Sequence, residues 1–132
     1  MTEIVLETSA VAAVFFNEPE REAFLGAIFA SREVAISAVS VMECGLVLAG
    51  RNGAAAPPLL FAALEQWAAK IVAADAEQAT RAIDAYLRYG RGRHPARLNF
   101  GDCFAYALAK SLDAPLLFKG EDFAKTDVRV AL

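Results

Sequence analysis

A chain of 132 residues with 57% hydrophobic side chains is long enough for one domain with a substantial core. Its net charge of −3 excludes a broadly basic nucleic-acid binder, and its two cysteines, Cys44 and Cys103, exclude a disulfide framework. No uncharged apolar run reaches the roughly 18–20 residues that a membrane-spanning helix needs. The mean hydropathy of +0.37 is high, which predicts a large core or apolar surface kept for a partner. Met1-Thr2-Glu3 lacks the basic region of a signal peptide, so a cytoplasmic chain is expected.

In chain order, Glu3-Ile4-Val5-Leu6-Glu7 reads as a central parallel strand. Ala10 to Phe16 form a first helix, and Pro19 opens a second that runs to about Arg32. Val34 to Ser37 is a second strand. Ser40-Val41-Met42-Glu43 matches a capping box before a helix over Cys44 to Ala49. Leu59, Leu60, Ala63, Leu64 and Trp67 mark the next helix, and Lys70 to Ala73 a third strand. Asp75 starts a helix whose apolar positions, Ala76, Ala79, Ile83, Tyr86 and Leu87, are expected to be buried; Asp84 and Arg88 are spaced for an ion pair. A basic loop leads to a buried helix over Asn99 to Leu112. Pro115 to Phe118 is a fourth strand, and Val128 to Val130 a short fifth. The alternation predicts an α/β fold: one domain over residues 1–132, with helices on both faces of a mostly parallel sheet of four to five strands.

In such sheets, sites form beyond the carboxyl ends of the strands, where the strand order switches. Glu7 ends the first strand, Asp122 follows the fourth, and Glu43 and Asp102 open helices. Each also has a local explanation: a solvated strand end, a turn residue, a capping-box glutamate, and a first-turn acid beside Asn99. If the four meet, they cannot all stay ionised without a cation, and hard oxygen donors suit Mg²⁺ or Mn²⁺. Such a site activates water against a phosphodiester. Arg88, Arg91, Arg93 and Arg97 lie just before Asp102, and Lys119 and Lys125 flank Asp122; these cations suit a polynucleotide backbone, or simply a solvated loop. His94, the sole histidine, reads as a solvated loop residue.

Four segments, taken together, resemble a known family. They are Ile4-Val5-Leu6-Glu7-Thr8-Ser9-Ala10, Ser40-Val41-Met42-Glu43, Leu98-Asn99-Phe100-Gly101-Asp102-Cys103, and Leu117-Phe118-Lys119-Gly120-Glu121-Asp122-Phe123 with Thr126-Asp127. In order and spacing they are similar to the PIN-domain ribonucleases, and within them to the VapC toxins of bacterial VapBC toxin–antitoxin pairs. The resemblance implies a PIN-like α/β/α sandwich and Mg²⁺- or Mn²⁺-dependent cleavage of RNA, often tRNA or rRNA. It implies a homodimer, a heterotetramer or hetero-octamer with a VapB-type antitoxin whose C-terminal segment crosses the active site, and DNA contact through that antitoxin. Carried over by position, Glu43, Asp102 and Asp122 match the family's acids and metal ligands. Thr8 or Ser9 matches the hydroxyl beside the first acid, Asn99 a polar neighbour, and Asp127 an outer acid.

One position departs from the pattern. The family carries aspartate at the end of the first strand, and this chain carries Glu7. The extra methylene extends the carboxylate by roughly 1–1.5 Å, and a displacement of that order costs on the order of 100-fold in rate. Two functions therefore stay open: a metal-dependent endoribonuclease using Glu7, Glu43, Asp102 and Asp122, or a catalytically weak antitoxin-binding module of the same fold. A doubly wound phosphotransfer protein fits poorly, because Glu7-Thr8-Ser9 supplies no nucleophilic aspartate.

Overall fold

Four short strands form one parallel sheet in the computed structural model, which describes residues 3–132. They are β1 (Glu3–Leu6), β2 (Glu33–Ser37), β3 (Ala69–Val72) and β4 (Leu116–Leu117), in the order β3-β2-β1-β4. Leu6 pairs with Ile36 on one side and Leu117 on the other. The six helices are α1 (Thr8–Phe15), α2 (Arg21–Ala30), α3 (Ala38–Asn52), α4 (Ala56–Gln66), α5 (Ala76–Tyr89) and α6 (Phe100–Leu112).

The two-residue period of a strand divides the core into two layers. Ile4 and Leu6 pack with Ile36 and Leu117 under α1 to α4, while Val5 and Leu116 pack under α5 and α6. This is the expected α/β/α sandwich. The sheet closes at four strands: the expected fifth, Val128 to Val130, makes only an isolated bridge between Val130 and Leu116. Among the described residues, no helix is long and apolar enough to cross a membrane.

Several local expectations change. Pro19 precedes the second helix, which starts at Arg21. The third helix begins much earlier than expected, because Ser37 rather than Ser40 caps it: the Ser37 side chain accepts from Val39 N–H. Ser40 is fully buried and Glu43 lies in the second turn, so no capping box forms there. Asp75 does cap α5, accepting from Gln78 N–H.

The buried face of α5 is also not the expected one. Gln78, Ala82 and Ala85 turn inward, whereas Ile83, Tyr86 and Leu87 are exposed. The reason is close packing: α6 presents Ala105, Ala107 and Ala109 to the same layer, and small side chains let backbones approach. Arg88 pairs with Asp127 at 3.6 Å, where an Asp84 pair was expected.

Candidate active site

β1 is flanked by β2 on one side and by β4 on the other, so the strand order reverses at it while all strands stay parallel. A crevice opens at that point, beyond the carboxyl ends of the strands. Glu7 leaves β1 there. A cleft of about 270 Å³ is lined by Glu7, Ser9, Asn99, Asp102, Asp122 and the 119–121 segment. Three of the four expected acids thus share one cleft.

Glu43 reaches the same place from α3. Thr8 Oγ1 donates to its Oε1 at 2.8 Å. The other side of the carboxylate abuts the first turn of α6, where a Cβ on Gly101 would overlap it. Its capping explanation is gone, and contacts from α1 and α6 hold it instead. Gly101 is a site residue that the sequence reading passed over. The available signal was a glycine in the first turn of a helix otherwise rich in alanine, where alanine is the better helix former.

Asp102 has both of its suggested roles at once. Its Oδ2 accepts from Asn99 N–H at 3.0 Å, and Asn99 Oδ1 accepts from Asp102 N–H at 2.8 Å, a reciprocal capping box. Oδ1 receives no hydrogen bond from the described residues. Burial pushes this carboxyl up to about 6 against the capping bond, helped by negative charge on Glu43 and Asp122.

Glu7 is 5% exposed. Its side chain curls back at the cleft wall, and Oε2 accepts from Ser9 N–H at 2.8 Å and from Ser9 Oγ. The glutamate caps its own helix, a role aspartate normally fills. Burial pushes its carboxyl up to about 7; the Ser9 bonds oppose this, and Asp102 and Glu43 add to it.

The other expected residues go to different places. Asp127 is not at the cleft: it accepts from Tyr106 Oη and pairs with Lys110 at 3.3 Å and with Arg88. Arg88 also lies over the Tyr89 ring, and Arg93 donates to Leu87 O at 3.3 Å. Arg91 and Arg97 are exposed and make no ion pair among the described residues. His94 Nδ1 accepts from Ala96 N–H at 3.0 Å and shapes the loop. Glu121 lines the cleft and had not been singled out. A larger groove, about 430 Å³ between α5 and α6, is lined by Ile83, Tyr86, Phe100 and Phe104 and carries no acid.

Among the described residues, no three His, Cys, Asp or Glu side chains stand close enough together to clamp an ion as they are placed. The donor set still fits a hard dication. It is all carboxylate, Glu7 is buried and Glu43, Asp102 and Asp122 are partly so, and two of its members hold their protons abnormally tightly through burial and mutual repulsion.

That proton affinity has a consequence for stability. Glu7 binds its proton more tightly in the folded chain than in the unfolded one, 7 against 4.5. The contribution of Glu7 therefore favours the folded state fully below pH 4.5 and is lost as pH rises through 7. The loss is on the order of 3 kcal/mol, or roughly 10 °C in thermal midpoint. In EDTA, the midpoint should fall between pH 5 and pH 8, and Glu7→Gln should remove most of the fall. Added Mn²⁺ should raise the midpoint more at pH 8 than at pH 5. A flat profile in EDTA contradicts the assignment.

The sequence pattern of the PIN domain matches residues 4–129. A VapC ribonuclease of Mycobacterium bovis is 45% identical over 125 residues, covering 95% of each chain. A ribonuclease VapC of Mycolicibacterium smegmatis is also 45% identical, over 95% of this chain and 97% of its own. Among solved structures, the Mycobacterium tuberculosis VapC20 toxin, which cleaves the sarcin–ricin loop, superposes with a TM-score of 0.80 at 17% identity over 98% of both chains. That last likeness concerns the fold.

Proposed function

Because the chain belongs to the VapC ribonucleases of the PIN-domain family, we propose that it is a divalent-cation-dependent endoribonuclease toxin acting from the cleft of Glu7, Asp102 and Asp122, with Glu43 beside it. The observation that carries this reading is Glu43. It has no capping role, yet Thr8 and the first turn of α6 fix it beside the other acids.

The four carboxylates would hold Mg²⁺ or Mn²⁺, whose chemistry there is Lewis-acid stabilisation of charge on a phosphodiester and activation of water. The chain's own residues do the positioning. Thr8 orients Glu43, Ser9 orients Glu7, and the Asn99 box fixes Asp102. Arg91 and Arg97, exposed beside Asn99 in sequence, would take backbone phosphates of a tRNA or rRNA. Their contacts position the RNA without reading its sequence.

A VapB-type antitoxin is the partner this reading gives. Solved neighbours include a toxin–antitoxin complex from Klebsiella pneumoniae, and exposed apolar side chains such as Phe29, Phe61, Ile83 and Phe100 leave surface for it and for a second copy of the chain.

The test is incubation with a pool of tRNA and rRNA in Mn²⁺ and in EDTA. Cleavage that EDTA stops is the expected result. A chain that binds its antitoxin yet leaves the pool intact in Mn²⁺ is the antitoxin-binding module instead.

A further inference from the structure

Lys119 stands at the mouth of the cleft, but its ammonium is already engaged. Nζ lies 3.2 Å from Glu18 Oε1 and 3.4 Å from Glu20 Oε1, both on the turn between α1 and α2. Its main chain reaches the other way. Lys119 N–H donates to Ser9 Oγ at 2.8 Å, and Ser9 Oγ donates to Glu7 Oε2. One residue thus couples an acidic turn outside the cleft to the carboxylate at the end of β1. The same segment continues through Gly120, whose φ of 104° suits only glycine, and brings Asp122 into the cleft. A lysine that waits for an RNA phosphate has no need of two carboxylates; Arg91 and Arg97 show what unengaged cations look like here.

We infer that Glu18 and Glu20 act through Lys119 as positioning residues. They fix the 119–122 segment so that Ser9 stays on Glu7 and Asp122 stays in the cleft. Lys119 is then a strut of the carboxylate site and not a phosphate contact. The inference rests on the cleft being a divalent-cation site. Each ion pair is about one-third exposed, so its loss leaves the fold intact.

For Lys119→Ala, charge and geometry predict opposite signs. Removing a cation near four acids tightens cation binding if only charge matters. Removing a strut loosens it. The experiment is Mn²⁺ binding to the full metal-free chain, read by the electron paramagnetic resonance of free Mn²⁺ with no RNA present. Lys119→Ala and the double variant Glu18→Gln/Glu20→Gln should each weaken binding by about tenfold, the size seen when outer-shell partners of metal ligands are lost. Lys119→Arg should stay near the parent, because a guanidinium can bridge the same two carboxylates. Unchanged or tighter Mn²⁺ binding in Lys119→Ala overturns the inference.

RNA kinetics give a second readout. The strut predicts a lower kcat at unchanged KM in both variants. A phosphate contact predicts a higher KM for Lys119→Ala and a lower one for the double variant, which frees the lysine. If the parent itself binds no Mn²⁺, the cation reading of the cleft has failed separately. The strut is then judged by hydrogen exchange at the Ser9 and Lys119 amides, which must quicken in both variants; unchanged exchange rejects it.

Discussion

Asp102→Asn is expected to lower RNA cleavage by on the order of 100- to 1,000-fold, while the thermal midpoint hardly moves. Asparagine keeps an oxygen that can accept from Asn99 N–H, so the capping box of α6 survives. What disappears is one negative charge from a partly buried group of carboxylates. If Asp102 served only the helix, the isosteric change would be silent in the cleavage assay. Asp102→Ala loses both roles, and should add a cap penalty of about 1 kcal/mol to the same loss of activity. Cleavage by Asp102→Asn at the parent's rate would remove this acid from the site.

Gly101→Ala separates activity from stability by a different route. The added Cβ overlaps the Glu43 carboxylate, the far end of a flexible side chain. The side chain can move aside, so the fold tolerates the change, and alanine improves helix propensity. The carboxylate, however, leaves its place between Thr8 and α6. A shift of about 1 Å in a catalytic group costs on the order of 100-fold. The expected outcome is a thermal midpoint equal to or above the parent's, with cleavage lowered about 100-fold. Gly101→Ala with parental activity would show that the position of Glu43 does not matter.

The layer order was legible because strand and helix periods survive without tertiary detail, and ordered motifs singled out four acids of which Glu7, Asp102 and Asp122 line one cleft. The sequence pattern misplaced the cap of α3, since Ser40 and Glu43 match a capping box by spacing while Ser37 has the right backbone position. With Ser37 as the cap, the capping explanation that the spacing offered for Glu43 falls away, and its place among the candidate acids is left. The pattern also turned α5 the wrong way. Bulky Ile83, Tyr86 and Leu87 carry the hydrophobic signal, yet alanines make the contact with α6. Asp127 was placed near the site by its motif, but Tyr106 and Lys110, far from it in sequence, claim it. The double engagement of Lys119 depends on contacts across a hundred residues, which no local pattern encodes.

The departure at Glu7 carries the most weight for this chain. Extended, a glutamate would overreach; curled onto Ser9, it stays at the end of β1 beside Asp102 and Glu43. The proposed function requires that this chain, with glutamate in that place, cleaves RNA in a cation-dependent way. The most direct measurement compares the parent and Glu7→Asp on one pool of tRNA and rRNA in Mn²⁺, with EDTA controls. The parent should cut, EDTA should stop it, and Glu7→Asp should differ by less than about tenfold, well inside the penalty of a misplaced group. Cleavage by Glu7→Asp alone would contradict that requirement and leave the parent a disabled member of its family.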